Sequence, residues 1–309
     1  MRRLHTLKPS CDSNTFDQYA SKVIISYVEK TLENTSRCDI VWDRYIENSI
    51  KKGTRDSRGK GVRTKVLGNG RIPSNWDAVL RDENNKRELF HLLAGHIFSH
   101  ERYPAGKVVV TTWDDKVFVN PVVNQQQPIQ QFLLERCNHE EFDTRVFLHA
   151  ANAAEQGYKR LVIRANDTDV VVLALAFFDE IAAEKLWVAF GRMQTLRFLS
   201  IHDISKKMPA IKRRAQPAFH ALSGCDTISF LAGVGKKTFY EKWRGHPEFT
   251  NTLSEIMSST DGIKSKHIDA TDSFTVSLYS ATCPYTTVDK ARQFIFSKNS
   301  RGFEYIPPT

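Results

Sequence analysis

The chain has 309 residues, 41% hydrophobic and 26% charged, enough to bury a real core in one large domain or two smaller ones. Lysine and arginine outnumber aspartate and glutamate by 44 to 35, a formal net charge of +9 that favours polyanionic partners. Cys11, Cys38, Cys137, Cys225 and Cys283 are scattered and never paired as C-x-x-C, which argues against a disulfide scaffold and for reduced thiols. The longest apolar run is too short to cross a membrane and the N-terminus lacks a signal-peptide core. A soluble intracellular protein, nuclear rather than cytoplasmic and with no membrane partner, is therefore expected.

Residues 1 to 15 are polar, and Phe16, Tyr19, Ala20, Val23, Ile24 and Tyr27 then recur at helical spacing up to about Leu32. Cys38 to Trp42 reads as a buried strand ending at the carboxylate of Asp43. Behind it, residues 51 to 65 interleave Lys51, Lys52, Arg55, Arg58, Lys60, Arg63 and Lys65 with Gly53, Gly59 and Gly61. Such a run is either a solvated loop or an arm that grips phosphates. From Pro73 and Trp76 to Ile97 an amphipathic pattern predicts one or two helices. Lys107 to Thr112 and Lys116 to Asn120 read as paired strands joined across Trp113, Asp114 and Asp115.

Glu140 to Gln156 is helical in pattern, with Gly157 as its stop and Glu140, Glu141 and Asp143 in its first turn, where the helix dipole favours acids. Leu161 to Ile163 then reads as a buried strand, followed by Asn166, Asp167, Thr168 and Asp169 and an apolar run from Val170 to Phe178. That run suits a buried helix, although its valines leave a second strand open. Asp167 and Asp169 stand at the carboxyl end of a strand, where open α/β sheets bind ligands. Two such acids are either helix caps or a pair that a cation separates.

Leu186 to Phe190 and Phe198 to Ile201 read as further strands or a hairpin, and Ala218 to Leu222 as a short apolar helix. Gly224, Cys225 and Asp226 follow, then Gly233, Val234, Gly235, Lys236 and Lys237 open a helix carrying Phe239, Tyr240 and Trp243. A Gly-x-Gly turn with two lysines presents backbone N–H groups and positive charge together, as a nucleic-acid phosphate requires; a solvated helix has the same letters. Two more amphipathic helices are expected around Phe274 to Tyr279 and Val288 to Phe296. There is no Walker A loop, no G-x-S-x-G elbow and no zinc spacing.

Taken in order, Val41-Trp42-Asp43, Glu141-Phe142-Asp143, Asp167-Thr168-Asp169, Gly224-Cys225-Asp226 and Gly233-Val234-Gly235 resemble the flap endonuclease and XPG branch of the PIN-like nucleases. That branch has a strand ending Phe-Asp-Gly before a helical arch, a Glu-x-Glu helix start, an Asp-x-Asp strand end, and Gly-(Ser or Cys)-Asp-Tyr ahead of a Gly-Ile-Gly helix-hairpin-helix. The wording His139 to Arg145 and His220 to Thr227 is similar to poorly characterised PIN-like proteins of animal genomes.

The resemblance implies an α/β fold with a central mainly parallel sheet flanked by helices over residues 1–215. A basic arm would be inserted at about 50–100, and a helical region of helix-hairpin-helix type would occupy 216–309. It implies a nuclease that hydrolyses DNA or RNA with two Mg²⁺ or Mn²⁺ ions, DNA being the preferred partner. Asp143, Asp167 and Asp169 would be the closest ligands, with Glu141, Asp43 and Asp226 holding ions directly or through water, and Glu140 a rival for the inner position. Lys51, Lys52, Arg55 and Arg58, with the Gly233, Gly235, Lys236 and Lys237 turn, would bind the nucleic acid backbone. The family's additional N-terminal acid has no counterpart in residues 1 to 15, which implies a truncated member or an incomplete cluster. The alternative expectation is a catalytically inactive PIN-like module that binds nucleic acid.

Overall fold

The computed structural model describes residues 4–45, 61–120, 134, 142–191, 195–225, 231–298 and 306–307. The chain divides into two compact units, Met1–Asn166 with Ile181–Ala183, and Asp167–Glu180 with Glu184–Thr309.

The first unit begins where the Thr15 side chain accepts the backbone N–H of Gln18 and starts helix α1 (Phe16–Tyr19). A π-helical stretch, Ala20–Ile25, leads into α2 (Ser26–Leu32). The apolar spacing read from the sequence is the buried face of this helical run, and Phe16, Tyr19, Ile24, Val28 and Leu32 enter the core. Strand β1 (Arg37–Ile40) pairs parallel with β2 (Val108–Trp113), and β2 pairs antiparallel with β3 (Lys116–Asn120). Between them lie α3 (Trp76–Val79) and α4 (Glu83–Ser99), and α4 buries Leu89, Phe90, Leu93 and Ile97 against the N-terminal helices. Helix α5 (Phe142–Glu155) ends in a Schellman turn: Tyr158 N–H reaches Ala153 O, Gly157 N–H reaches Ala154 O, and Gly157 takes φ +86°. Strand β4 (Arg160–Ala165) follows.

In the second unit α6 (Thr168–Ala176) resolves the open reading of the valine-rich run as a helix. After α7 (Phe178–Ile181), β5 (Lys185–Phe190) and β6 (Arg197–Ser200) pair antiparallel. Among the described residues six helices complete the unit: α8 (Ile201–Lys207), α9 (Ala210–Leu222), α10 (Lys236–Arg244), α11 (Pro247–Ser258), α12 (Ser265–Tyr279) and α13 (Val288–Lys298). Its core is aromatic: Phe219 stacks on Trp243 at 4.5 Å and Phe249 on Phe274 at 4.0 Å, with Phe239 and Leu253 filling between. Buried Arg213 fixes the corner from α8 to α9 by donating to the carbonyls of Ser205 (2.8 Å) and Met208 (2.6 Å) and to the Asp179 carboxylate.

The architecture is mixed α/β, but in place of one central, mainly parallel sheet there are two small sheets. The turn at Asp114 and Asp115, with Asp114 at φ +54°, is too short for a parallel crossover, so β3 folds back antiparallel. The helix placed at Ala218 to Leu222 in fact starts at Ala210 and runs through Pro217. The expectations for the tail did not include helix α11, although Pro247 at its first turn and Phe249, Leu253 and Ile256 at helical spacing signal it.

One buried amide holds the end of the basic run, which is packed on α4 and not a solvated loop there. Asn85, fully buried on α4, donates to the carbonyls of Val62 (2.7 Å) and Val79 (3.1 Å) and accepts from Thr64 N–H (2.9 Å) and the Arg63 guanidinium (2.7 Å). One turn on, Glu88 pairs with Arg63 and accepts Val66 N–H at 2.8 Å. Gly61 lies so close that a Cβ would sit 2.4 Å from Asp82 N. Replacing Asn85 by Ala strands a buried N–H and two carbonyls, so Asn85→Ala should lower the stability of the unit by about 3 kcal/mol in urea unfolding. A loss under about 0.5 kcal/mol would contradict this role.

Candidate functional site

In the first unit the chemistry gathers where α5 lies along β1. Arg37 and Asp39 are two apart on the strand and share a face, while His149, Asn152 and Gln156 form one face of the helix. Arg37 is almost wholly buried and grips Asp39 with both ends of its fork, Nε to Oδ1 at 2.7 Å and Nη2 to Oδ2 at 2.8 Å. It also donates to Asn152 Oδ1 (3.0 Å) and Gln156 Oε1 (3.3 Å), and its guanidinium lies 5.7 Å from the Tyr158 ring centre. His149, 2% exposed, meets Asp39 Oδ2 through Nδ1 at 2.8 Å. Burial alone would push the Asp39 carboxyl up, but the hydrogen bonds from His149 and Arg37, with the charge of Arg37, outweigh it and hold the group below its ordinary value.

This network sets the register of the helix against the strand. Three residues beyond β1, Asp43 Oδ1 accepts the backbone N–H of Phe142 at 3.1 Å. The first of the sequence-derived carboxylates thus meets the helix start that carries Asp143, across 99 positions of sequence. Trp42 holds the loop in place, its N–H on Thr112 Oγ1 at 3.0 Å and its ring stacked on Phe90 at 4.8 Å. Arg145, two residues after Asp143, is buried and donates to the Asp114 carbonyl at the β2–β3 turn.

In the second unit Asp167 takes the N-cap of α6, its Oδ1 accepting Asp169 N–H at 3.3 Å. Asp169 faces the opposite way in function: its Oδ1 lies 2.9 Å from His220 Nε2, and His220 Nδ1 lies 3.2 Å from Lys236 Nζ. An ammonium can only donate, so Nδ1 is the acceptor and the imidazole proton sits on Nε2, pointing at Asp169. Gly224 at φ +97° ends α9, and Gly233 at φ +74° turns the chain before Gly235 caps α10. A Cβ on Gly235 would meet nothing within 4 Å, so that glycine is not forced by packing. Lys237 points to solvent beside Glu241 at 3.9 Å.

Glu141, its rival Glu140, Asp226 and the arm residues Lys51, Lys52, Arg55 and Arg58 lie outside the described residues. Among the described residues no three His, Cys, Asp or Glu side chains assemble into a metal-binding group. No helix among them is long and apolar enough to cross a membrane. Sequence reasoning missed Arg37, Asp39, His149 and His220. A charged pair at period two inside an apolar strand, and polar residues at helical spacing on α5, were the available signals for the first three.

Two measurements check these assignments. Asp39→Asn leaves the buried Arg37 charge uncompensated and should cost about 3 kcal/mol of stability. Because the folded-state pKa of Asp39 is depressed, its contribution is fully present above about pH 4 and is lost as pH falls through the folded value, so acid unfolding of the variant should be correspondingly blunted. In ¹⁵N spectra the neutral His220 ring should show the Nε2–H tautomer, and Lys236→Met should weaken that preference; an Nδ1–H signal in the parent protein would refute the chain of contacts. Comparison with protein-family models, with curated proteins and with solved structures finds no match.

Proposed function

We propose that the chain is a divalent-metal phosphodiesterase acting on nucleic acid, of the PIN-like type its motifs resemble. The observation that carries the reading is the docking of Asp43 onto the first turn of α5, which brings the strand-end acid to the helix start bearing Asp143. Nothing in the local sequence requires residues 99 apart to meet there, and a helix cap could have been supplied from its own flank.

The donor chemistry suits a hard cation. Asp43 and Asp143 offer carboxylate oxygens, the ligands Mg²⁺ and Mn²⁺ take, and both are half-buried, which limits competition from water. A bound divalent ion there supplies charge neutralisation and an activated water. The chain's own part is to hold those oxygens still, through the Trp42 anchor and the Arg37–Asp39–His149 network behind them. The net charge of +9 supports a polyanionic substrate, and the preference for DNA over RNA rests on the resemblance alone.

A second reading, a catalytically silent module that binds nucleic acid, is favoured by the engagement of the Asp-x-Asp pair within its own unit. Asp167 serves as an N-cap and Asp169 is occupied by His220. Those contacts use oxygens a cation would need.

Labelled single-stranded and duplex DNA and RNA incubated with Mg²⁺, Mn²⁺ or EDTA separate the two. Asn caps a helix about as well as Asp, so Asp43→Asn should leave stability within about 0.5 kcal/mol. Asp143→Asn should cost at most the roughly 1 kcal/mol of a first-turn acid on the helix dipole, and in each variant cleavage should fall about a hundredfold or more. Cleavage that survives EDTA, or both substitutions, would sink the enzyme reading. Metal-independent binding with no cleavage would transfer the conclusion to the silent module.

A further inference from the structure

We propose that the exposed ridge of α10, with the neighbouring turn of α9, is a binding surface for single-stranded nucleic acid, with a base stacked on Tyr240. The proposal rests on the nucleic-acid reading above for its choice of polymer, and on no metal.

Residues Lys236, Tyr240 and Arg244 are spaced i, i+4, i+8 and are all exposed, so they form one ridge, with steps of about 6 Å along the helix axis. On α9, Lys212 reaches across so that Nζ lies 5.2 Å from the Tyr240 ring centre and 5.1 Å from that of Trp243. Among the described residues none of Lys212, Lys236 and Arg244 has a carboxylate within ion-pair distance, whereas Lys237, on another face, lies beside Glu241. Residues 201–244 hold nine lysines and arginines against three aspartates and glutamates. Among the described residues the surface is cationic and uncompensated along one line.

The aromatic decides the class of polyanion. Tyr240 is 37% exposed yet fixed from behind, edge-on to Phe219 at 5.9 Å and to Trp243 at 6.0 Å. A rigid ring flanked by cations is what an unpaired base needs, since stacking tolerates any sequence and the lysines follow the backbone. A duplex keeps its bases stacked on one another and offers the ring nothing, and an acidic peptide has no flat partner for it. Helix α10 would therefore add stacking to the phosphate contacts expected of its glycine-rich turn.

The test uses the full chain in EDTA and fluorescence anisotropy with a labelled oligo-dT strand and a duplex of equal length, at two salt concentrations. The strand should bind more tightly than the duplex. Tyr240→Leu should weaken the strand about tenfold and the duplex little, while Tyr240→Phe, which keeps the ring, should stay within about twofold of the parent. Lys212→Gln and Arg244→Gln should each lower the salt dependence by about one ion. Thermal melting of each variant verifies the fold, and Tyr240→Phe keeps the test valid if Tyr240→Leu unfolds. Equal strand affinity in folded Tyr240→Leu, or displacement of the strand by poly-glutamate as readily as by unlabelled DNA, would overturn the proposal. Binding lost only on neutralising Lys51, Lys52, Arg55 and Arg58 overturns this surface and leaves the nucleic-acid reading standing; no binding to any nucleic acid removes both.

Discussion

The buried ion pair of Arg37 and Asp39 is the interaction on which the first unit's chemistry depends. A guanidinium taken out of water needs partners for its donors, and here four hydrogen bonds come from the strand carboxylate, from Asn152 on α5 and from Gln156 just beyond it, with the Tyr158 ring alongside. Apolar packing of α5 on β1 would tolerate sliding by part of a turn; a five-donor fork does not. His149 closes the arrangement from the helix side. The position of the α5 N-terminus, and with it of Asp143 beside Asp43, follows from that fixed register.

Much of this was legible in the sequence and some was not. The hairpin of β2 and β3 could be read because β2 is a run of β-branched residues and its two-residue turn is polar, and α5 because its stripe ends at Gly157, the residue a Schellman turn demands. Asp43 was found by its position at the end of an apolar run. Its partner could not be, because the meeting with Phe142 N–H spans the whole intervening chain. The parallel sheet was over-read: alternating strand and helix patterns suggest crossovers, and β1 and β2 do realise one, but the tight turn reverses β3 and β6 runs antiparallel to β5. The helix read at Ala218 to Leu222 extends back to Ala210 through Pro217, and α9 is held on both sides of that proline by Arg213 and Phe219.

In the second unit the acids and bases of the sequence motifs turn out to speak to one another. His220, near the end of α9, joins Asp169 at the head of α6 to Lys236 at the head of α10, so three separate motifs share one hydrogen-bonded chain. Each had a bland explanation alone, as a cap, a helix residue and a solvated lysine. Their alignment assigns the imidazole a single tautomer and the ammonium a fixed direction, features that a purely structural helix start would not need.

The strap held by Asn85 has a different kind of consequence. Tyr45 is fixed to α4 through its carbonyl, which accepts from Arg87 at 2.6 Å, and through its ring, 4.6 Å from Lys86 Nζ, while Val62 to Val66 are fixed to the same helix by Asn85 and Glu88. Both ends of the intervening chain are thus anchored on one rigid rod, independently of what lies between them. Anything that shifts α4 therefore moves Tyr45 and the Val62 to Val66 segment together, so the two anchored ends behave as a single mechanical part.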